Sequence, residues 1–405
     1  MKKLVVPLVI IAVLVGAYFL VAGVIDAKAK AVAQRLERAG RSVEVTDLPK
    51  LFDGGSTDAA AVYREAAKQF TKDDRERLAG FDTLGWRTDP AGLAALRKEK
   101  AAALGLILKA SRMGPANFGM DYQNGMNAKL CGILPEFQCG RRLLSIEARA
   151  LAAEGKPDSA LGMLEASVRL AHAFAEPILI YSLVEILGLD SVLAQAARIA
   201  PSASPAAIER LAVAIGGLDP DAEFAGAIQG EDAWVRGALR SGQQFIVAGD
   251  DGGGQSATLA LRFLPLRRFA EWKQLQAEEQ QLAFAGKPWY QGLPLLEEHE
   301  RTFAFADSRP LARLARFCVL NSRVYYLRIE RNSAMRDVAL AAISIEGEKR
   351  RTGKLPAELN PSLPVDRFTG KPYGYKATPD GFVVYSAGSD GEDNGGDAER
   401  TWRLT

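Results

Sequence analysis

Histidine and cysteine are scarce. The 405 residues include two histidines, His172 and His299, and three cysteines, Cys131, Cys139 and Cys318. Neither histidine has a cysteine or histidine at zinc-ligand spacing. His299 stands in Glu297-Glu298-His299-Glu300, not in His-Glu-x-x-His, and is expected on a solvated helix face. His172, between Ala171 and Ala173, is expected to be structural. An excess of one charge is also missing. The net charge of +2 argues against bulk electrostatic binding of nucleic acid. No Gly-x-Ser-x-Gly elbow occurs, and the Gly249-Asp250-Asp251-Gly252-Gly253-Gly254 run has no Gly-Lys-Ser/Thr behind it. Adjacent carboxylates such as Glu297 and Glu298 do not share a helix face. No catalytic residue is assigned from the sequence.

What is present begins with one long apolar run. Residues 4–25 carry no charge, and as a helix they reach roughly 33 Å, enough for a bilayer core. Lys2 and Lys3 precede the run; Asp26, Lys28 and Lys30 follow it. The layout is that of a secretory signal or a signal anchor. Ala27 and Ala29 offer a small-residue cleavage site, but the length favours an uncleaved transmembrane anchor over residues 1–26. A short basic start before a long apolar run favours an inner-membrane type of anchor with an extracytoplasmic, periplasmic body. Lys28, Lys30, Arg35, Arg38 and Arg41 pull the other way under the positive-inside rule.

Beyond the anchor the chain is predicted to be mostly α, with a helical body over residues 27–308. Helical composition recurs at 58–70, 90–113, 178–199, 205–218, 222–245 and 258–285. Lys287-Pro288-Trp289-Tyr290-Gln291-Gly292-Leu293-Pro294 reads as an extended turn, with Trp289 and Tyr290 suited to interhelical packing or to stacking on a sugar. Residues 141–174 form a helical hairpin around Glu154-Gly155-Lys156-Pro157-Asp158, with Asp158 as the expected N-cap. This unit resembles one tetratricopeptide-type hairpin, although no second copy follows. Cys131 and Cys139 flank Gly-Ile-Leu-Pro-Glu-Phe-Gln. They suit either a small disulfide loop in an oxidising compartment or two buried thiols. Cys318 reads as core filler.

The third region, residues 309–405, opens with a long helix over 310–351 and then changes character. Tyr373 and Tyr375 alternate on a short strand, Thr378-Pro379-Asp380-Gly381 is a turn, and residues 382–385 form a second strand. An acidic glycine loop follows, Ser386-Ala387-Gly388-Ser389-Asp390-Gly391-Glu392-Asp393-Asn394-Gly395-Gly396-Asp397. Long helix, Gly-x-Leu-Pro, Asp366-Arg367-Phe368-Thr369-Gly370-Lys371-Pro372-Tyr373-Gly374-Tyr375 and the Ser386–Asp390 loop occur in one order. In that order they resemble the C-terminal domain of the major pseudopilins of type II secretion systems, over residues 337–397.

The resemblance implies a calcium site using the side chains of Asp390 and Asp397. Backbone carbonyls near Val384 and Ser386 would add oxygens, with Asp393 and Asn394 as alternative donors. Flexible acidic loops with glycine suit calcium's six to eight oxygen ligands. The alternative is a solvated acidic tail. The spacing is not that of an EF-hand: Thr401 stands where the bidentate glutamate belongs. Pseudopilins join the membrane helix directly to the long helix behind a Gly-Phe-Thr-Leu-x-Glu site. This chain does neither, so the resemblance implies the local module and not filament assembly.

The expected function is that of a non-enzymatic, membrane-anchored envelope protein that binds protein partners, with a calcium-stabilised C-terminal loop. The alternatives are an envelope hydrolase with a carboxylate site in a helical cleft, or a secretion-system accessory protein.

Overall fold

Several described helices open on the same local signal, a proline in the first turn, and three of them show how it is used. Pro90 starts one helix behind Asp89, whose carboxylate accepts from Gly92 N at 2.8 Å. Pro205 starts another behind Ser204, whose hydroxyl accepts from Ala207 N at 3.3 Å. Pro157 starts the third, but there the cap position is Lys156. Asp158, the expected cap, instead accepts from Ser204 N at 2.6 Å and ties two helices together. Proline suits this position because its missing N–H is one the first turn leaves unpaired anyway.

The computed structural model describes residues 2–41, 43–44, 46–47, 57–82, 86–119, 133–173, 189, 191–241, 262–303, 322–379, 381–396 and 402–404; the side chains of 1–12, 57, 86, 241 and 402–404 lie outside the description. The described helices are α1 (Lys2–Arg38), α2 (Thr57–Ala67), α3 (Lys72–Gly80), α4 (Pro90–Glu99), α5 (Ala101–Ala110), α6 (Leu134–Ala153), α7 (Pro157–His172), α8 (Pro205–Gly216), α9 (Pro220–Ser241), α10 (Leu264–Phe284), α11 (Trp289–Phe303) and α12 (Ser322–Thr352). The chain is therefore mostly helical, with a small C-terminal antiparallel sheet of β1 (Gly374–Thr378), β2 (Gly381–Ser386) and β3 (Trp402–Leu404) in the order β1-β2-β3. Gly374 faces Tyr385 and Thr378 faces Gly381 across the hairpin, and β3 is an addition the sequence pattern did not indicate.

Apolar stripes assemble these helices into linked cores. Helices α2 to α6 bury Tyr63, Leu78, Leu96, Ile107, Phe137 and Leu144. The continuous helix expected over 90–113 is broken at Lys100, whose ammonium is buried against Asp74 at 2.6 Å. The α6–α7 hairpin forms as expected, with Gly155 at φ +73° in its turn. Leu161, Leu164 and Val168 of α7 pack on Ile208, Leu211 and Ile215 of α8. Long helix α12 runs through the centre, contributing Ala339 to this core and Tyr326 and Ile329 to the next.

Segment 289–294 is helical, not extended. Trp289, Gly292, Leu296, His299 and Phe303 recur at three- and four-residue steps and are all buried, so one full face of α11 is covered despite Pro294 inside it. Gly292 is required there, since a Cβ would lie 1.9 Å from the Tyr326 hydroxyl, which donates to Lys287 O at 2.6 Å. Trp289 packs between Tyr326 and Phe368, in keeping with an interhelical role.

Helix α1 has two halves. Ala29, Val32 and Leu36 pack on Leu275 of α10. Ahead of them, Val13, Leu14, Val15, Phe19, Leu20, Val21 and Val24 are between 48% and 69% exposed. Among the described residues no helix is long and apolar enough to cross a membrane.

Candidate functional site

The C-terminal segment is fastened to α12 by residues from one tight turn. Asp366 and Lys371 close it, with Asp366 N donating to Lys371 O at 2.7 Å and Gly370 N to Asp366 O at 2.7 Å. Gly370 needs its φ of +71°, and a Cβ there would meet the Tyr290 ring at 2.9 Å. The Asp366 carboxylate is 2% exposed and accepts three bonds, from Phe368 N at 3.0 Å, the Ser386 hydroxyl at 2.8 Å and Ala387 N at 2.9 Å. It thus joins the turn to the end of β2.

Arg367, next along, reaches inward. Its guanidinium meets Glu330 of α12 and Asp221 of α9, the latter at 2.7 Å. Glu330 also accepts from Trp289 N at 2.9 Å. Burial pushes the Glu330 carboxyl up to about 7, against the pull of Arg367. Two turns further along α12, Asp337 pairs with Arg336 at 3.0 Å and accepts from the Tyr373 hydroxyl at 3.2 Å. Burial raises Asp337 above the usual carboxylate range and Tyr373 above the usual phenol range. The sequence pattern names Asp366, Arg367 and Tyr373 as motif members, but Glu330, Asp221 and Asp337 carry no local signal.

The acidic loop winds through left-handed glycines, with Gly388, Gly391, Gly395 and Gly396 at φ between +68° and +86°. Asp390 is exposed, and its Oδ1 accepts from Glu392 N at 3.1 Å. Asp393 accepts from the Tyr385 hydroxyl at 2.9 Å and from Gly395 N at 2.8 Å; these two bonds are the main causes that hold its carboxyl below the usual range. Ser386 is fully buried, and its hydroxyl is used by Asp366 and by Gly388 N at 3.2 Å. Asp397 lies outside the described residues. Among the described residues no three His, Cys, Asp or Glu side chains converge as a metal ion would need. Asp390 and Asp393 retain carboxylate oxygens of the kind calcium prefers; Ser386 does not offer its hydroxyl.

A second buried polar cluster holds the root of α1. Arg236 of α9 is 1% exposed; its Nε and Nη2 donate to Val43 O at 3.0 and 2.8 Å, and its Nη1 pairs with Glu278 of α10. Asp232 lies beside them, and Gln274 donates to its backbone carbonyl at 2.8 Å. Burial, then the charge of Glu278, pushes Asp232 well above the usual carboxylate range. Closer to the surface Arg35 of α1 grips Glu279 with bonds of 2.7 and 2.8 Å, and Arg268 faces Asp26 at 3.5 Å.

The remaining sequence candidates separate. Cys139 is a free thiol buried on α6, and Cys131 and Cys318 lie outside the described residues. His172 faces Glu223 at 3.0 Å. His299 is not on a solvated face: Glu297 and Glu298 are exposed, whereas the imidazole is fully buried between Phe284 and Phe303, with Nδ1 3.3 Å from Gln280 Oε1. Burial brings it down to about 4.

Among the described residues several cavities open between the helices, two of them of useful size. One, of about 250 Å³, has an apolar wall of Leu161, Ile208, Leu211 and Ile343. The other, of about 340 Å³, is polar, but its carboxylates are committed: Asp158 to Ser204 N, Glu165 to Arg169 at 2.6 Å. Comparison with protein-family models, with curated proteins and with solved structures finds no match to this chain.

Proposed function

We propose that this is a membrane-tethered, non-enzymatic interaction protein of the cell envelope. The observation that carries the reading is the exposed apolar half of α1 standing beyond a root locked by ion pairs. Contiguous exposed apolar surface of this kind marks a membrane or protein contact. The uncharged run over residues 4–25, between Lys2-Lys3 and Asp26, selects the bilayer. The buried Arg236 guanidinium holds the carbonyl of Val43, in the chain just past the end of that helix. The body then faces the extracytoplasmic side and presents its helical surfaces to protein partners. Its C-terminal module, pseudopilin-like in motif order, closes over α12, and calcium at Asp390 and Asp397 tightens its last loop.

The test is membrane fractionation of the full chain, with alkaline carbonate washing and protease added from either side. Retention after carbonate, with the body cleaved only from the extracytoplasmic side, supports the reading. Release of the chain into the soluble fraction before any wash would overturn it.

A further inference from the structure

The 250 Å³ cavity lies where α7, α8 and α12 meet the tip of the β1–β2 hairpin. Leu161 and Leu211 are almost wholly buried behind it, and Gly381 and Phe382 of β2 close one side. Two charged residues stand in this wall, Glu346 and Lys349. Glu346 is neutralised by Arg350 at 3.0 Å, and Arg350 also donates to Ala200 O and Ala203 O at 2.8 and 2.7 Å. The Lys349 ammonium makes no ion pair or hydrogen bond among the described residues, its only bond outside the helix ladder being Gly353 N to its backbone carbonyl at 2.8 Å. An apolar chamber therefore ends at one uncompensated cation.

We propose that this cavity holds the chain of a single-chain anionic amphiphile, an alkyl carboxylate or alkyl phosphate, with its head on Lys349. Size sets the chain length. A cavity of about 150 Å³ takes a six-carbon ring, so one of this volume has room for about eight to ten carbons. Dry apolar walls with one or two placed polar groups are the usual make-up of a small-molecule site. A double-chained lipid would need twice this volume, and a neutral alkane would leave Lys349 facing nothing. The binding does not depend on whether α1 enters a bilayer.

The probe is decanoate carrying a diazirine near its methyl end, photolysed with the full chain in phosphatidylcholine nanodiscs and mapped by peptide mass spectrometry. Adducts are expected on the α7, α8 and α12 peptides that line the cavity. Ala197, on the helical segment 191–199, also lines the cavity, and Ala197→Phe, which places a ring in the chamber, should reduce the adducts at least fivefold. Lys349→Gln, at a half-exposed position, should weaken labelling by decanoate about two- to fivefold and leave labelling by the matching decanol unchanged. Unlabelled decanoate and decyl phosphate, added as competitors, report which head is preferred, and displacement by either supports the site. Labelling confined to α1, or labelling of the cavity unaffected by both variants, overturns the proposal. So does protection of the cavity peptides by raised protein concentration alone, which would assign the groove to a second copy of the chain.

Discussion

Arg367 in the C-terminal turn meets Glu330 in the first third of α12 with two nitrogens, Nε to Oε2 at 3.0 Å and Nη2 to Oε1 at 2.8 Å. Glu330 is fully buried, so its charge depends on this one guanidinium. The pair is one of the links between the C-terminal module and the helical body, beside the Tyr373 hydroxyl on Asp337 and the packing of Tyr373 and Val384 on Val338, Ala341 and Ile345.

Arg367→Met should therefore be severe. It leaves a buried carboxylate uncompensated, at a cost of about 3–5 kcal/mol. Adding Glu330→Gln, which keeps an acceptor for Trp289 N, should recover much of the loss. Urea unfolding of the single and double variants measures both effects. Equal stability of Arg367→Met and wild type would show that the module is not fastened here.

His299 and Glu330 give stability opposite pH slopes. The folded imidazole binds a proton only near 4, the unfolded one from about 6.5, so stability is lost as pH falls through that window. The folded Glu330 carboxyl releases its proton near 7, the unfolded one near 4.5, so stability is lost as pH rises between them. Each window is worth up to about 3 kcal/mol. His299→Leu should gain on wild type at pH 4.5 relative to pH 8, and Glu330→Gln at pH 8 relative to pH 4.5. Chemical denaturation at the two pH values reads the difference directly.

Asp366→Ala should loosen the module while sparing the body. Three donors lose a charged acceptor, two of them backbone N–H groups, for a loss of about 3 kcal/mol. Hydrogen exchange should accelerate over 366–396 and stay unchanged in α6 and α7. Acceleration spread over the whole chain would mean that the two regions unfold together.

Calcium should raise the melting temperature, and Asp390→Ala with Asp397→Ala should abolish the rise. A ligand at a hundred times its dissociation constant adds about 2.7 kcal/mol. Identical melts in calcium and chelator, for wild type and variant alike, would leave the acidic loop as a solvated segment.

Local chemistry written in the sequence set several features directly. Gly155 and Pro157 stop and restart a helix, so the α6–α7 hairpin was legible from its turn. Pro379 and Gly381 did the same for the β1–β2 hairpin. The apolar run of α1 was equally plain, because its signal lies in consecutive residues. Tertiary structure decided the rest. Pro294 and Gly292 are local arguments against a helix, and burial of Trp289, Leu296 and Phe303 outweighed them. His299 sits among glutamates in the chain but faces away from Glu297 and Glu298, into an aromatic pocket formed by other helices. Lys100 interrupts a helix-forming composition because Asp74, from α3, holds its ammonium inside. Glu330 looked like any polar residue of a long helix until Arg367 and Asp221 came to it from distant segments. Turns and apolar runs act over a few residues and can be read in order. The partners of a buried charge are chosen by where the backbone brings other helices, which residue order alone does not specify.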